Sequence, residues 1–167
     1  MISLDPVPAQ KALETTDHFF GPGGLLEQHC AQIGVDFELR PQQQKMARAI
    51  ADATVFDHHL AVEAGTGVGK SFAYLVPSIL EAVDNGRRIV ISTYTIALQE
   101  QLISKDLPFL AEILPMEFRA VLAKGRTNYV CFRRLAMAIK AKGKLFADES
   151  QLDMLETVAS WAKKTSD

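Results

Sequence analysis

The sequence predicts an α/β protein in which helices flank a mainly parallel sheet. Three short apolar runs have the length and composition of buried strands: HLAVEAG, RIVIST and FRAVLAKG. Segments with the apolar spacing of amphipathic helices separate these runs, and such alternation favours parallel βαβ units. Hydrophobic residues make up 48% of the 167 residues, which is enough to build one domain with a sizeable core.

The elements of the first half follow one another with few interruptions. The first 24 residues are mixed and end in the turn-forming FFGPGG. Leu25 to Ile33 predicts a short helix, and RPQQQKMARAI predicts another with Pro41 just inside its start. The first apolar run precedes Lys70, after which Pro77 should kink the next helix or remove one of its hydrogen bonds. The apolar face of that helix comprises Phe72, Leu75, Val76, Ile79 and Val83.

The second half repeats this alternation. A turn at NGR precedes the second apolar run, and helices are predicted over Thr95 to Ser104 and over SKDLPFLAEILP. The third run leads into a helix predicted over Tyr129 to Ala141. A last helix is indicated by apolar residues at helical spacing: Leu152, Leu155, Val158 and Ala162.

Charge and cysteine content exclude several classes of protein. A formal net charge of −2 argues against a chain wholly devoted to coating nucleic acid. The two cysteines, Cys30 and Cys131, form neither a disulfide framework nor a complete metal site. The sequence begins without a signal-peptide pattern, and no run of about 18 apolar residues could cross a membrane. We therefore expect a cytoplasmic location and no membrane partner.

The glycine-rich loop after the first apolar run fits the phosphate-loop pattern G-x-x-x-x-G-K-S/T, with Ala64 in its first position. Glycines let backbone N–H groups converge on an anion, and the N-terminus of the following helix adds partial positive charge. We predict that Lys70 contacts the β- and γ-phosphates of a nucleoside triphosphate and that Ser71 binds Mg²⁺, so these two are the candidate catalytic residues. The predicted nucleotide-binding residues of the loop are Ala64, Gly65, Thr66, Gly67, Val68, Gly69, Lys70 and Ser71. The alternative is a tight glycine turn followed by a surface lysine.

Four segments carry a family resemblance: FELRPQQQKM, EAGTGVGKS, IVISTYTIALQEQLISKDLP and AKGRTNYVC. Together they resemble superfamily 2 helicases of the XPD/DinG type. The first resembles the Q-motif region, which implies that Gln43 reads adenine with Arg40 nearby. An amide suits this task because it both donates and accepts hydrogen bonds. Taken alone, the segment is also compatible with solvated glutamines at a helix start. The second segment matches the family's Walker A loop.

The third and fourth segments imply contacts with DNA and iron. The third resembles motif Ia and its following helix, where such helicases hold single-stranded DNA, so Thr93, Thr95 and Gln99 are predicted contacts. The fourth resembles the stretch that carries the first cysteine ligand of a 4Fe–4S cluster, which implies that role for Cys131 in the full-length protein. Such clusters need further ligands, and no cysteine follows Cys131. Without the resemblance, Cys131 would be interpreted as a half-buried structural thiol.

A basic segment without any acidic residue overlaps the fourth motif. Its basic residues are Arg119, Lys124, Arg126, Arg133, Arg134, Lys140, Lys142 and Lys144. The resemblance places a DNA-facing iron–sulfur domain here, so Arg126 and the neighbouring Tyr129 are predicted to contact DNA. The alternative is a solvated helix face.

The resemblance implies a partial RecA-like P-loop domain and a division of the chain into three parts. Residues 1–24 are an N-terminal extension, 25–118 the first part of motor domain 1, and 119–167 the truncated start of the iron–sulfur region. The full-length protein is expected to translocate 5′ to 3′ on single-stranded DNA in DNA repair, driven by ATP.

The acid pair of the Walker B motif is missing, because none of the three strand-like apolar runs ends in Asp-Glu. We therefore expect an N-terminal fragment that binds ATP but neither hydrolyses it nor unwinds DNA. Its incomplete sheet would leave an open edge that favours self-association.

Two other functions fit the phosphate loop. A stand-alone small P-loop kinase or phosphotransferase would need an arginine-rich lid and an acid that holds substrate or metal. A non-catalytic nucleotide-binding module would bind nucleotide without turnover.

Overall fold

The computed structural model describes residues 7–141 and 148–165, apart from the side chains of residues 7–10. The chain divides into two compact units between Leu122 and Ala123. No residue in the described ranges is assigned to a β-strand. In those same ranges, no helix has both the length and the apolar character needed to cross a membrane.

The first unit is built from helices. They are α1 (Val7–Phe20), α2 (Leu25–Gln32), α3 (Pro41–Val55), α4 (Lys70–Asp84), α5 (Ile96–Gln101) and α6 (Leu107–Ile113), with a π turn at Leu102–Asp106. The predicted helices after Gly24, at Pro41 and after Gly69 are confirmed. Pro41 lies in the first turn of α3, where its missing N–H costs no helical hydrogen bond. Helix α4 continues through Pro77, which is buried in its interior.

The two helices predicted between Thr95 and Pro115 form one helical segment in which the π turn joins α5 to α6. Pro108 lies in the first turn of α6, directly after the π turn. Its ring cannot donate a backbone hydrogen bond and crowds the preceding turn, which is a physical reason for the local widening.

Helix α1 was not predicted, yet it contributes to the core by packing against α3 and α4. Phe19 and Phe20 are buried and meet edge to face with ring centroids 4.8 Å apart. The buried Thr16 hydroxyl donates to the Ala12 carbonyl at 2.8 Å, so this hydroxyl keeps a hydrogen-bond partner. The core of the unit also includes Ala47, Ala73, Leu75, Val76, Leu80 and Leu110.

The prediction of an α/β fold class with a mainly parallel sheet is wrong. The three apolar runs lie between helices and have no assigned secondary structure, and their backbones form no ladder with one another in the described residues. Val90 and Val121 are each 90% exposed, although buried strands would cover such side chains. An apolar run becomes a strand only when neighbouring strands satisfy its N–H and C=O groups. The sheet edge through which we expected self-association is therefore absent from the described part of the chain.

The second unit contains a 3₁₀ turn at Arg126–Asn128, α7 (Phe132–Lys140) and α8 (Glu149–Ala162). Helices α7 and α8 pack against each other, and both were predicted. Lys142 and Lys144 of the basic segment lie outside the described residues.

Candidate nucleotide-binding site

The candidate phosphate loop, residues 64–71, leads directly into α4. Gly67 and Gly69 have left-handed backbone conformations, with φ of 79° and 83°, which glycine adopts without steric cost. Gly69 is the N-cap residue of α4, and no side chain caps this helix end. The first N–H groups of α4 therefore face the loop without a capping partner.

Lys70 folds back over the start of the loop. Its ammonium group donates to the carbonyl oxygens of Ala64 and Gly65, each at 3.0 Å. Lys70 remains exposed, so an anion in front of the loop can reach its ammonium group.

Two side chains at the start of α3 hold the other end of the loop. Arg40 donates to the Gly67 carbonyl at 3.3 Å and also pairs with Glu38 at 3.1 Å. The Gln43 amide donates to the Gly69 carbonyl at 2.9 Å and is buried, with 7% of its surface exposed. The structure thus brings both predicted adenine-side residues, Arg40 and Gln43, onto the phosphate loop.

Whereas loop carbonyls accept hydrogen bonds from side chains, the backbone N–H groups of the loop lack acceptors among the described residues. No described residue accepts a hydrogen bond from the backbone N–H groups of residues 65–69. A Cβ built on Gly65 or Gly67 would meet no atom within 4 Å, so these glycines border open space. Thr66 is exposed and Val68 half-buried between them. A loop with occupied carbonyls and free amides presents donors, which is the arrangement that binds anions.

Two further polar residues, Tyr74 and Asp106, lie on α4 and on the π turn, which pack against each other. Burial raises the pKa of Tyr74 most strongly, the neighbouring Ser71 hydroxyl opposes this shift, and the charge of Asp106 adds to it. Asp106 is buried, at 9% exposed, and accepts a hydrogen bond from Gln101 at 3.2 Å.

Sequence reasoning missed Tyr74 and Asp106. A tyrosine one turn after Ser71 on an otherwise apolar helix was a usable signal. The approach of Asp106 was not predictable locally, because it depends on how the π turn packs against α4.

The predicted DNA contacts of the first unit lie together at the start of α5. Thr95 caps this helix, because its hydroxyl accepts from the Leu98 N–H at 3.3 Å. The Thr93 hydroxyl donates to the Thr95 carbonyl at 3.3 Å, and Gln99 is half-buried one turn later. Both hydroxyls stabilise local structure, and a role in DNA contact stays a prediction for all three residues.

The predicted DNA contacts of the second unit also lie close in sequence. Arg126 begins the 3₁₀ turn and is exposed. The Tyr129 hydroxyl accepts from the backbone N–H of Lys124 at 2.8 Å, while 54% of Tyr129 is exposed. The tyrosine therefore closes a short loop and still presents part of its ring to solvent.

Cys131, the predicted iron ligand, is exposed at the N-cap of α7. The backbone N–H of Arg134 lowers the pKa of the thiol most strongly, and Arg133 contributes in the same direction. A complete 4Fe–4S site does not fit this chain, because the second of its two cysteines, Cys30, is buried in α2. The described residues also hold no group of three or more His, Cys, Asp or Glu side chains that suits a metal.

Comparison with known proteins gives several clear relatives, although no protein-family profile matches. The ATP-dependent helicase DinG of Mycobacterium tuberculosis is 46% identical over 106 residues, which are 61% of this chain and 16% of that protein. The ATP-dependent DNA helicase YoaA of Escherichia coli is 37% identical over 148 residues, 89% of this chain and 22% of the relative.

A third relative carries a different activity in its name. The 3′-5′ exonuclease DinG of Bacillus subtilis is 33% identical over 113 residues, 68% of this chain and 12% of that protein. The chain thus spans only between 12% and 22% of the length of these three proteins. The sequence is therefore DinG-like and related to one part of the DinG and YoaA helicases, which confirms the resemblance predicted from its motifs.

Proposed function

We propose that residues 64–71 bind the phosphates of ATP together with Mg²⁺, and that the chain is an ATP-binding part of a DinG-like DNA helicase. The observation that supports this most directly is that carbonyl groups of the loop have hydrogen-bond partners among the described residues while its N–H groups do not. Side-chain donors occupy the carbonyls of Ala64, Gly65, Gly67 and Gly69, while the amides of residues 65–69 have no acceptor in the described chain. Phosphate oxygens supply the acceptors that these amides lack.

Lys70 and Ser71 take the roles predicted for them. When nucleotide binds, the Lys70 ammonium would leave the two neutral carbonyls and contact a charged phosphate. Hydrogen bonds to a charged phosphate are stronger than hydrogen bonds to neutral carbonyls. The Ser71 hydroxyl, half-buried in the first turn of α4, is a hard oxygen ligand of the kind that Mg²⁺ takes beside phosphates. When bound, the metal would neutralise phosphate charge.

Gln43 and Arg40 are proposed to link adenine binding to the loop. The Gln43 amide uses one N–H group for the Gly69 carbonyl. Its oxygen and its second N–H group can still pair with the donor and acceptor on the adenine edge. Arg40 flanks the same end of the loop through its bond to Gly67.

For the whole protein we propose 5′ to 3′ translocation on single-stranded DNA, in keeping with the helicase names of most relatives. Thr93, Thr95 and Gln99 would contact DNA from the first unit, and Arg126 and Tyr129 from the second. Cys131 would be one ligand of a 4Fe–4S cluster whose other ligands come from outside this chain.

Titration of the chain with a fluorescent ATP analogue in Mg²⁺ tests nucleotide binding. We expect Lys70→Ala to weaken binding by about tenfold or more, because it removes charge-assisted hydrogen bonds. Lys45→Ala, at an exposed lysine of α3, is the matched control and should bind normally. Equal affinity of the Lys70→Ala variant and the unmodified chain would refute the phosphate-loop assignment.

Fluorescence anisotropy with labelled oligothymidine tests DNA binding separately. Arg126→Ala and Tyr129→Ala should weaken binding, and the affinity should fall as salt rises, since phosphate contacts release counterions. Lys164→Ala, at an exposed lysine that follows α8, controls for a general loss of positive charge. An equal loss of DNA affinity in all three variants would contradict a localised DNA site.

A further inference from the structure

Arg40 connects an acidic side chain to the phosphate loop. Its Nε and Nη2 groups each donate to Oε2 of Glu38 at 3.1 Å, and its Nη1 group donates to the Gly67 carbonyl at 3.3 Å. A guanidinium group is flat and holds its N–H groups in a fixed arrangement. The two contacts with Glu38 therefore set the direction in which the third N–H group meets the loop.

The carbonyl that Arg40 contacts belongs to the peptide bond between Gly67 and Val68. No peptide bond in the described ranges is cis, and in a flat trans peptide the carbonyl of one residue and the N–H group of the next point in opposite directions. Arg40 thus lies on one side of this peptide, and the Val68 N–H group points away from it. No described residue accepts a hydrogen bond from that N–H group.

This peptide depends on an outside contact to keep its orientation. Gly67 has a φ of 79°, and a Cβ built there would meet no atom within 4 Å. Glycine adopts a wide range of backbone angles, so no side chain at Gly67 prevents the peptide from turning over. A turned peptide would present a carbonyl oxygen, which repels anions, where the Val68 N–H group now points. The Arg40 contact favours the orientation that presents the donor.

Arg40 differs in this respect from Lys70, which also donates to loop carbonyls. The proposed function requires Lys70 to leave the Ala64 and Gly65 carbonyls when phosphate binds. Arg40 is paired with the carboxylate of Glu38, so it can keep its contact with the Gly67 carbonyl in the presence of phosphate.

Building on the proposed function, we propose that Glu38 and Arg40 are positioning residues for the phosphate loop. Glu38 orients Arg40, and Arg40 orients the peptide between Gly67 and Val68 so that the Val68 N–H group donates to a phosphate oxygen. Neither side chain needs to contact the nucleotide for this effect. The effect therefore extends to any ligand that carries the phosphates, with or without adenine.

The test compares two ligands on the full chain in Mg²⁺: a fluorescent ATP analogue, and inorganic triphosphate that displaces it. We expect Glu38→Ala to weaken both ligands by the same factor, roughly threefold, which is the size of an exposed ion pair. Arg40→Ala should weaken inorganic triphosphate by roughly tenfold, because it removes the hydrogen bond to the loop itself.

The sign of the Glu38→Ala effect separates positioning from simple electrostatics. Loss of a negative charge near the loop would by itself strengthen the binding of an anion, whereas loss of positioning weakens it. Asp36→Ala, at an exposed acid two residues earlier, makes the same change in charge and should not weaken binding. Since Glu38 and Arg40 are exposed, their substitution should leave thermal unfolding unchanged.

A double-substitution cycle shows whether Glu38 acts through Arg40. In an Arg40→Ala background, Glu38→Ala should cause no further loss of affinity, since the side chain to be oriented is gone. The amide proton signal of Val68 in NMR spectra provides a local measurement. It should shift when inorganic triphosphate saturates the unmodified chain, and the shift should be smaller in the Arg40→Ala variant.

Unchanged or tighter binding of inorganic triphosphate by Glu38→Ala would overturn this inference while Lys70-dependent binding persists. A loss of affinity confined to the ATP analogue would overturn it as well, because it would assign both side chains to the adenine. Failure of the unmodified chain to bind either ligand would instead overturn the proposed function itself, and the inference with it.

Discussion

The Gln43 side-chain amide donates to the Gly69 carbonyl at 2.9 Å and so joins the first turn of α3 to the N-cap of α4. Two features favour glycine at position 69. The residue has a left-handed backbone with a φ of 83°, and a Cβ built there would clash with the Gln43 side-chain nitrogen. Backbone conformation and side-chain packing therefore select the same residue.

Gly69→Ala should destabilise the chain more than Gly67→Ala. Both positions have left-handed backbones, so each alanine adds strain of roughly 1–2 kcal/mol. Only at Gly69 must the new methyl group also displace Gln43, because a Cβ at Gly67 meets no atom within 4 Å. Urea unfolding followed by circular dichroism measures both variants. Equal losses of stability would show that the Gln43 contact contributes nothing.

Gln43→Glu should lower the free energy of unfolding by about 1–3 kcal/mol. The substitution removes the donor and places a carboxylate against the Gly69 carbonyl in a buried position. Gln42→Glu, one residue earlier and exposed, makes the same chemical change without a buried contact and should be neutral. Thermal unfolding at neutral pH compares the stability of the two variants. An equal destabilisation by Gln42→Glu would show that the added negative charge, and not the lost contact with Gly69, causes the effect.

Arg87→Ala should destabilise the first unit through Glu81. Glu81 is 3% exposed, forms an ion pair with Arg87 at 3.1 Å and accepts a hydrogen bond from Asn85 at 2.8 Å. Removal of the partly exposed arginine leaves a buried carboxylate with one neutral donor, at a cost of about 1–2 kcal/mol. The exposed neighbour Arg88→Ala is the control in denaturant unfolding.

A second substitution checks this explanation. Glu81→Gln introduced into the Arg87→Ala variant should recover part of the lost stability, because the unpaired charge is gone. Further destabilisation by Glu81→Gln would contradict the proposed cause.

Helix α8 should lose stability as acid protonates its N-cap residue, Asp148. The Ser150 hydroxyl, followed by the Ser150 backbone N–H, lowers the pKa of this carboxyl below its ordinary value of 3.8. A lowered folded-state pKa means that the stabilisation is complete above pH 3.8 and disappears as pH falls through the folded value. The Ser150 amide signal in an NMR titration reports this change directly.

Asp148→Asn provides the control for the acid titration. Asparagine still caps a helix but carries no ionisable group, so the Ser150 signal should not move over the same pH range. A Ser150 signal with a midpoint at or above 3.8 in the unmodified chain would rule out the lowered pKa.

Helices were largely predictable because their signals are local. Pro41 and the apolar spacing after Lys70 mark helices that the structure contains. Even α1, which was missed, has buried residues at helical spacing: Ala12, Leu13, Thr16, Phe19 and Phe20.

Strands were not predictable from the same kind of evidence. An apolar run such as the one containing Val90 indicates only that the segment is suited to form a buried strand. Whether it forms one depends on partners elsewhere in the chain, and the described residues pair it with none.

By itself, the sequence determined which loop is the candidate phosphate site, because the pattern that predicts it resides in consecutive residues from Ala64 to Ser71. It also determined the relationship to DinG-like helicases through several such local motifs. Only the tertiary structure decided that Gln43 holds the Gly69 carbonyl. This contact joins residues 26 positions apart in the chain, and only the packing of α3 against α4 brings them together.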